Sequence, residues 1–137
     1  MNSVAITGLL GKALPILKML GVDPAKIVNQ YGRTQVTAMF KAAASKVVSR
    51  LETDGLTPTA KGDSPAAERL VIRAAMYLIA KEALKNRLPK GANLVADHLR
   101  DAADDKIVKL VSPQIDASTT TAAMVDIIIG EWVELLF

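Results

Sequence analysis

PAAERLVIRAAMYLIAKEALKNR, residues 65–87, is the stretch whose reading decides the fold. Apolar residues occupy Leu70, Val71, Ile72, Ala74, Ala75, Met76, Leu78, Ile79, Ala80, Ala83 and Leu84. At helical spacing they cover almost the whole circumference. A helix on the surface of a monomer needs one apolar stripe, so this one predicts burial on several sides, at the centre of a bundle or at a subunit boundary. Ser64-Pro65 is a cap followed by a first-turn proline, and Glu68 favours the positive helix end. Leu88-Pro89-Lys90-Gly91 stops the helix.

The flanking segments also read as helices. Residues 34–53 carry Val36, Phe40, Ala43, Val47 and Leu51 at intervals of three and four, with Lys41, Ser45, Ser49 and Glu52 opposite. Asp54-Gly55 closes this segment, and the small polar run 56–64 predicts an exposed loop. Before it, Asp23-Pro24 starts a short helix that ends at Tyr31-Gly32. Residues 3–20 form an apolar segment broken near Pro15. Residues 93–111 place Val95, Leu99, Ala102, Ala103, Ile107 and Leu110 on one face. Asp97, Arg100, Asp101, Asp104 and Asp105 lie on the other, read as solvated. Ser112-Pro113 ends the segment.

Residues 119–137 read as helix, with Met124, Ile128, Trp132 and Leu135 on one side. The β-branched run at 125–129 leaves a short strand or extended arm open. The fold class expected is all-α, a small bundle of four to five helices in one domain over residues 1–137. Residues 1–32 are its N-terminal apolar segment and short helix, 33–112 the core helices and 113–137 a C-terminal helix or arm.

Composition narrows the function classes. Half of the 137 residues are hydrophobic and 4% are aromatic, so the core must be built from Ala, Val, Leu and Ile. The chain has no cysteine, which removes disulfides, thiolate metal sites and Cys nucleophiles. The formal charge of +3 is compatible with nucleic acid without being diagnostic of it. Lys12, Pro15 and Lys18 interrupt the apolar N-terminal run, which lacks a preceding basic region. Neither a spanning helix nor a secretory signal is expected, and no membrane partner.

Candidate chemistry is sparse. His98, the sole histidine, has Asp97, Asp101 and Asp105 at helical spacing, but a solvated acidic face shows the same spacing. Asp104 and Asp105 point roughly 100° apart on a helix and do not face a common substrate. GLLGK at 8–12 lacks the spacing and the Ser/Thr of a phosphate-binding loop. No catalytic residue, cofactor or metal site is expected, and the chain reads as a non-enzyme.

Two constellations carry more weight. Arg69, Arg73, Tyr77, Lys81 and Lys85 recur every four residues, a basic stripe along the central helix. It is suited to phosphates, to solvent or to acidic residues of a neighbouring subunit. The chain closes on EWVELLF, where Trp132, Leu135, Leu136 and Phe137 either fold back on the core or anchor in a partner.

AAASKVVSRL at 42–51 has the form A-x-x-x-V-x-x-x-L. It is followed by a small polar loop, by the Ala-rich SPAAERLVIRAAMYLIAKEAL at 64–84, and by the charged VADHLRDAADDKIVKLV at 95–111. In helix order and texture this resembles the head–tail adaptor (connector) proteins of tailed bacteriophages. The resemblance implies a virion structural protein, assembled in the host cytoplasm as a homo-oligomeric ring that docks to a portal, with a terminal arm and no catalysis. The alternative reading is a helical module that coats or contacts DNA non-specifically, such as a nucleocapsid subunit of a filamentous virus, through the stripe at 69–85.

Overall fold

A computed structural model describes residues 24–58, 65–88 and 90–137. Four helices carry the fold: α1 (Pro24–Thr53), α2 (Pro65–Leu84), α3 (Ala92–Val111) and α4 (Thr121–Leu136), with a 3₁₀ turn at Ser112–Gln114. No strand occurs among the described residues. The apolar segment at 3–20 and the loop residues 59–64 lie outside them.

Local chemistry sets the helix ends. Gly32, at φ 72° and ψ 171°, breaks α1 where the sequence separates two helices. A side chain at that backbone geometry is strained, so glycine permits the kink. At the far end of α1, Gly55 adopts φ 70°. The Leu56 amide donates to the Leu51 carbonyl at 2.8 Å, the six-to-one bond of a glycine-terminated helix. α2 ends at Leu84, one turn earlier than its periodicity suggests. Lys85, Asn86 and Arg87 form a turn in which the Leu88 amide reaches the Leu84 carbonyl at 2.8 Å. The Thr120 hydroxyl caps α4 by accepting from the Ala123 amide at 3.0 Å.

The helices form a square. α1 packs on α2 and α4, α3 packs on α2 and α4, and α2 also touches α4 across the diagonal. Arg69 near the start of α2 meets Asp104 and Asp105 near the end of α3, and Arg33 near the start of the long arm of α1 meets Glu134 at the end of α4. Neighbours therefore run antiparallel, in the up-down-up-down order that short connections favour. All five residues of the 34–53 stripe are buried, and Lys41, Ser45, Ser49 and Glu52 are exposed. α2 buries Val71, Ile72, Ala75, Met76, Ile79, Ala80 and Leu84. On α2 and α3 the small Ala75, Ala80, Ala96 and Ala103 sit in the core, where little side-chain bulk separates the backbones.

The C-terminal segment is a helix, and the strand or extended arm is set aside. Its β-branched run packs into the core: Val125, Ile128 and Ile129 are buried with Met124, Trp132, Val133 and Leu136. Burial on this scale outweighs local β preference.

Three further expectations are corrected. Leu70 is 59% exposed and Leu110 44%, because Val71 and Ile72 on α2, and Ile107 and Val111 on α3, take the inward positions beside them. In the 56–64 loop, Pro58 is buried and Leu56 packs against the core. The carboxylate face of α3 is solvated only in part: Asp104 is buried against α2, while Asp101 and Asp105 stay exposed.

Candidate functional site

Four-residue spacing puts Arg69 and Arg73 on the edge of α2 that faces α3, and Asp101, Asp104 and Asp105, three and four residues apart on α3, lie opposite them. Asp104 is the hub. Its side chain is only 5% exposed, and its Oδ2 accepts from Arg69 Nη2 at 2.8 Å and also from Arg73 Nη1. Arg69 reaches Asp105 with its other nitrogen at 2.7 Å, and Arg73 reaches Asp101 at 3.2 Å. The two adjacent carboxylates thus diverge, and one guanidinium fork spans them. Arg100 completes the row, donating to Asp101 at 3.0 Å and pairing with Asp97 at 3.2 Å.

Charge states follow from these contacts. The hydrogen bond to Asp105, then the charges of Asp104 and Asp105, raise the Arg69 guanidinium further above its ordinary value. Burial pushes the Asp101 carboxyl up, but the Arg100 and Arg73 guanidiniums outweigh it and hold it below the usual carboxylate range. At the end of the seam the Ser112 hydroxyl donates to Glu68 Oε1, which ties the 3₁₀ turn to the first turn of α2.

The basic stripe is therefore divided by the fold. Arg69 and Arg73 are held by α3. Tyr77 lies between two cations, with Lys81 Nζ 5.7 Å and the Arg100 guanidinium 5.6 Å from its ring centroid. Lys85 turns toward α1 and pairs with Glu82 at 2.7 Å. The acidic partner that the sequence left open for this stripe is, for the two arginines, a helix of the same chain.

The tail residues divide similarly. Trp132 is fully buried, its ring 5.2 Å from that of Phe40 and tilted by 43°, and Leu136 is buried beside it. Leu135 and Phe137 are half-buried against the same core. Trp132 and Leu136 thus serve this chain's own packing, the fold-back alternative that the sequence left open. His98 is half-buried, and its Nε2 and the Trp132 Nε1 are buried nitrogens without a hydrogen-bond partner. The carboxylates around His98 are drawn to the arginines instead, and among the described residues no three metal-ligating side chains converge. No described helix is long and apolar enough to cross a membrane.

Two open surfaces remain on the α1–α2 side. One is a groove of about 380 Å³ on the outside of α2, with Leu56, Leu70, Ala74 and Leu78 in its lining and Arg50, Arg73 and Arg100 around them. Arg50 is fixed there by Asp54 at 2.9 Å. The other is a cleft of about 470 Å³ between α1 and α2, which brings Lys46 to Lys85 and Arg87. Sequence reasoning missed Lys46 and Arg87. Lys46 sits on the polar face of α1 among Lys41, Ser45 and Ser49, where nothing in the spacing marks it, and Arg87 belongs to a turn that reads as helix.

Comparison with protein-family models, with curated proteins and with solved structures finds no match for this chain.

Proposed function

We propose that this protein is a non-enzymatic assembly subunit of the head–tail adaptor kind, a virion structural protein that forms a homo-oligomeric ring and docks to a portal. The observation that carries the reading is the outer face of α2. The helix is buried against three neighbours, yet Leu70 remains 59% exposed in a groove with half-buried Leu56, Ala74 and Leu78. A single exposed leucine needs no explanation, but one set in a continuous apolar groove is the kind of anchor that interfaces use. A groove on one side of a rigid bundle suits a heterologous contact between copies, the type that closes into a ring when the rotation allows. The resemblance of residues 34–111 to adaptors in helix order and Ala-rich texture supplies the particular setting, a particle assembled in the host cytoplasm.

The test is size-exclusion chromatography with light scattering on the full chain and on Leu70→Glu. The wild type is expected to elute as a multimer of fixed mass, seen as rings by negative-stain microscopy. Leu70→Glu, an exposed position that leaves the fold intact, is expected to elute as a monomer. A wild-type chain that stays monomeric at the highest attainable concentration overturns the reading.

A further inference from the structure

The cleft between α1 and α2 differs from the rest of the surface in its balance of donors and acceptors. Three cations line it: Lys46 from α1, and Lys85 and Arg87 from the end of α2 and the turn beyond it. They face a single carboxylate, Glu82. The floor is small and apolar, formed by Met39 and three alanines, so nothing bulky stands between the charged heads and an incoming group.

Two of the three cations are held in place. Lys85 Nζ pairs with Glu82 at 2.7 Å, and Glu82 is drawn below its ordinary value by that hydrogen bond. Arg87 lies over the Tyr31 ring at 4.7 Å, a cation–π contact that holds its guanidinium at the rim. Lys46 comes up to Lys85 from the opposite helix. The two ammonium groups share one carboxylate, which leaves the cleft with a net positive charge.

The distribution of charge along residues 24–137 points the same way. Residues 24–88 hold eleven Lys and Arg against five Asp and Glu, and residues 90–137 hold four against eight. The excess charges are partly matched across the seams, Arg69 and Arg73 with Asp101, Asp104 and Asp105, and Arg33 with Glu134. After that matching, residues 90–137 are left close to neutral. Residues 24–88 are left positive, and the cleft gathers three of their cations.

We infer that the α1–α2 cleft binds the phosphodiester backbone of a nucleic acid through Lys46, Lys85 and Arg87. Those donors meet phosphate oxygens, with Arg87 able to contact two at once. The Asn86 amide adds a neutral donor, and the absence of a flat aromatic on the floor predicts binding indifferent to base sequence. The site is distinct from the 69–85 stripe, with which it shares only Lys85.

The experiment is fluorescence anisotropy of a labelled 30-base-pair duplex against the full chain at several salt concentrations. The variants are Lys46→Glu and Arg87→Glu, with Lys106→Glu and Lys109→Glu on the exposed face of α3 as controls of equal charge change. Thermal melts check that all four fold. Binding is expected to weaken with salt, with a log–log slope of about −3 for three phosphate contacts. Each cleft variant is expected to lose about tenfold in affinity and roughly one unit of that slope, while each control loses at most about twofold. No binding at low salt, or equal losses in cleft and control variants, overturns the inference. So does displacement of the duplex by polyglutamate at matched charge, which would assign the cleft to an acidic protein segment. Ring formation is read separately: a monomer that binds DNA through the cleft defeats the assembly reading alone, and a ring that ignores DNA defeats this one alone.

Discussion

The α2–α3 seam and the α1–α4 seam belong to the same square bundle and hold together by different physics. Between α1 and α4 the contact is apolar: Phe40 packs on a fully buried Trp132, and Val36, Ile129, Val133 and Leu136 join the same core. The ion pair that flanks it, Arg33 with Glu134, is more than half exposed on each side. Between α2 and α3 small alanines fill the centre, and a row of two arginines and three aspartates runs along the edge. The first seam supplies free energy through burial. The second favours this register, since sliding either helix by one turn would leave buried Asp104 with at most one of its two arginines.

The comparison breaks most sharply at Trp132. Trp132→Ala removes the largest buried side chain from the α1–α4 seam and is expected to cost about 3–5 kcal/mol, read as a lowered midpoint in urea unfolding. A loss below about 1 kcal/mol would show that this seam is not where stability resides. Next comes Arg69→Ala combined with Arg73→Ala, which strands Asp104. Its cost is expected near 2–3 kcal/mol, reduced from the deep-burial range because the guanidiniums are 46% and 32% exposed and water can enter in their place. Asp104→Ala should cost less, about 1 kcal/mol, since it leaves arginines that can turn to solvent rather than a buried anion. If Asp104→Ala proves worse than the double arginine variant, the seam is not limited by the buried charge.

The smallest expected effect is on pH dependence. Asp101 is held below its ordinary value in the folded chain, so the unfolded chain takes up its proton first as pH falls. The stability this carboxylate adds is therefore complete at neutral pH and is lost as pH drops below about 4, through the folded-state value. Asp101→Asn is expected to flatten the fall of melting temperature between pH 5 and pH 3 by a few degrees, corresponding to about 0.5 kcal/mol. An unchanged acid profile would show that Arg73 and Arg100 hold Asp101 too loosely to matter.

How far each seam was legible in the sequence follows the same division. The apolar seam could be read: Val36, Phe40, Ala43, Val47 and Leu51 recur at helical spacing and all are buried, and Met124, Ile128 and Trp132 do the same on α4. The charged seam could not. A row of aspartates on one helix looks the same whether it meets water or arginines. Asp104 reads as surface from its neighbours and is buried only because α2 brings two guanidiniums to it. The anion cleft was equally hidden, since Lys46 and Arg87 are 41 residues apart and meet only when α1 and α2 run antiparallel.

The sequence by itself determined that this chain is helical and where its described helices break, at Gly32 and Gly55. Periodicity, capping and glycine geometry act over a few residues, so they can be read in one dimension. Tertiary structure alone decided which charges are paired and which stay open, that the C-terminal helix returns to the core, and that Leu70 faces outward. Charge pairing and exposure depend on what the next helix presents at that height, and helix spacing records a residue's own face without recording what stands across from it.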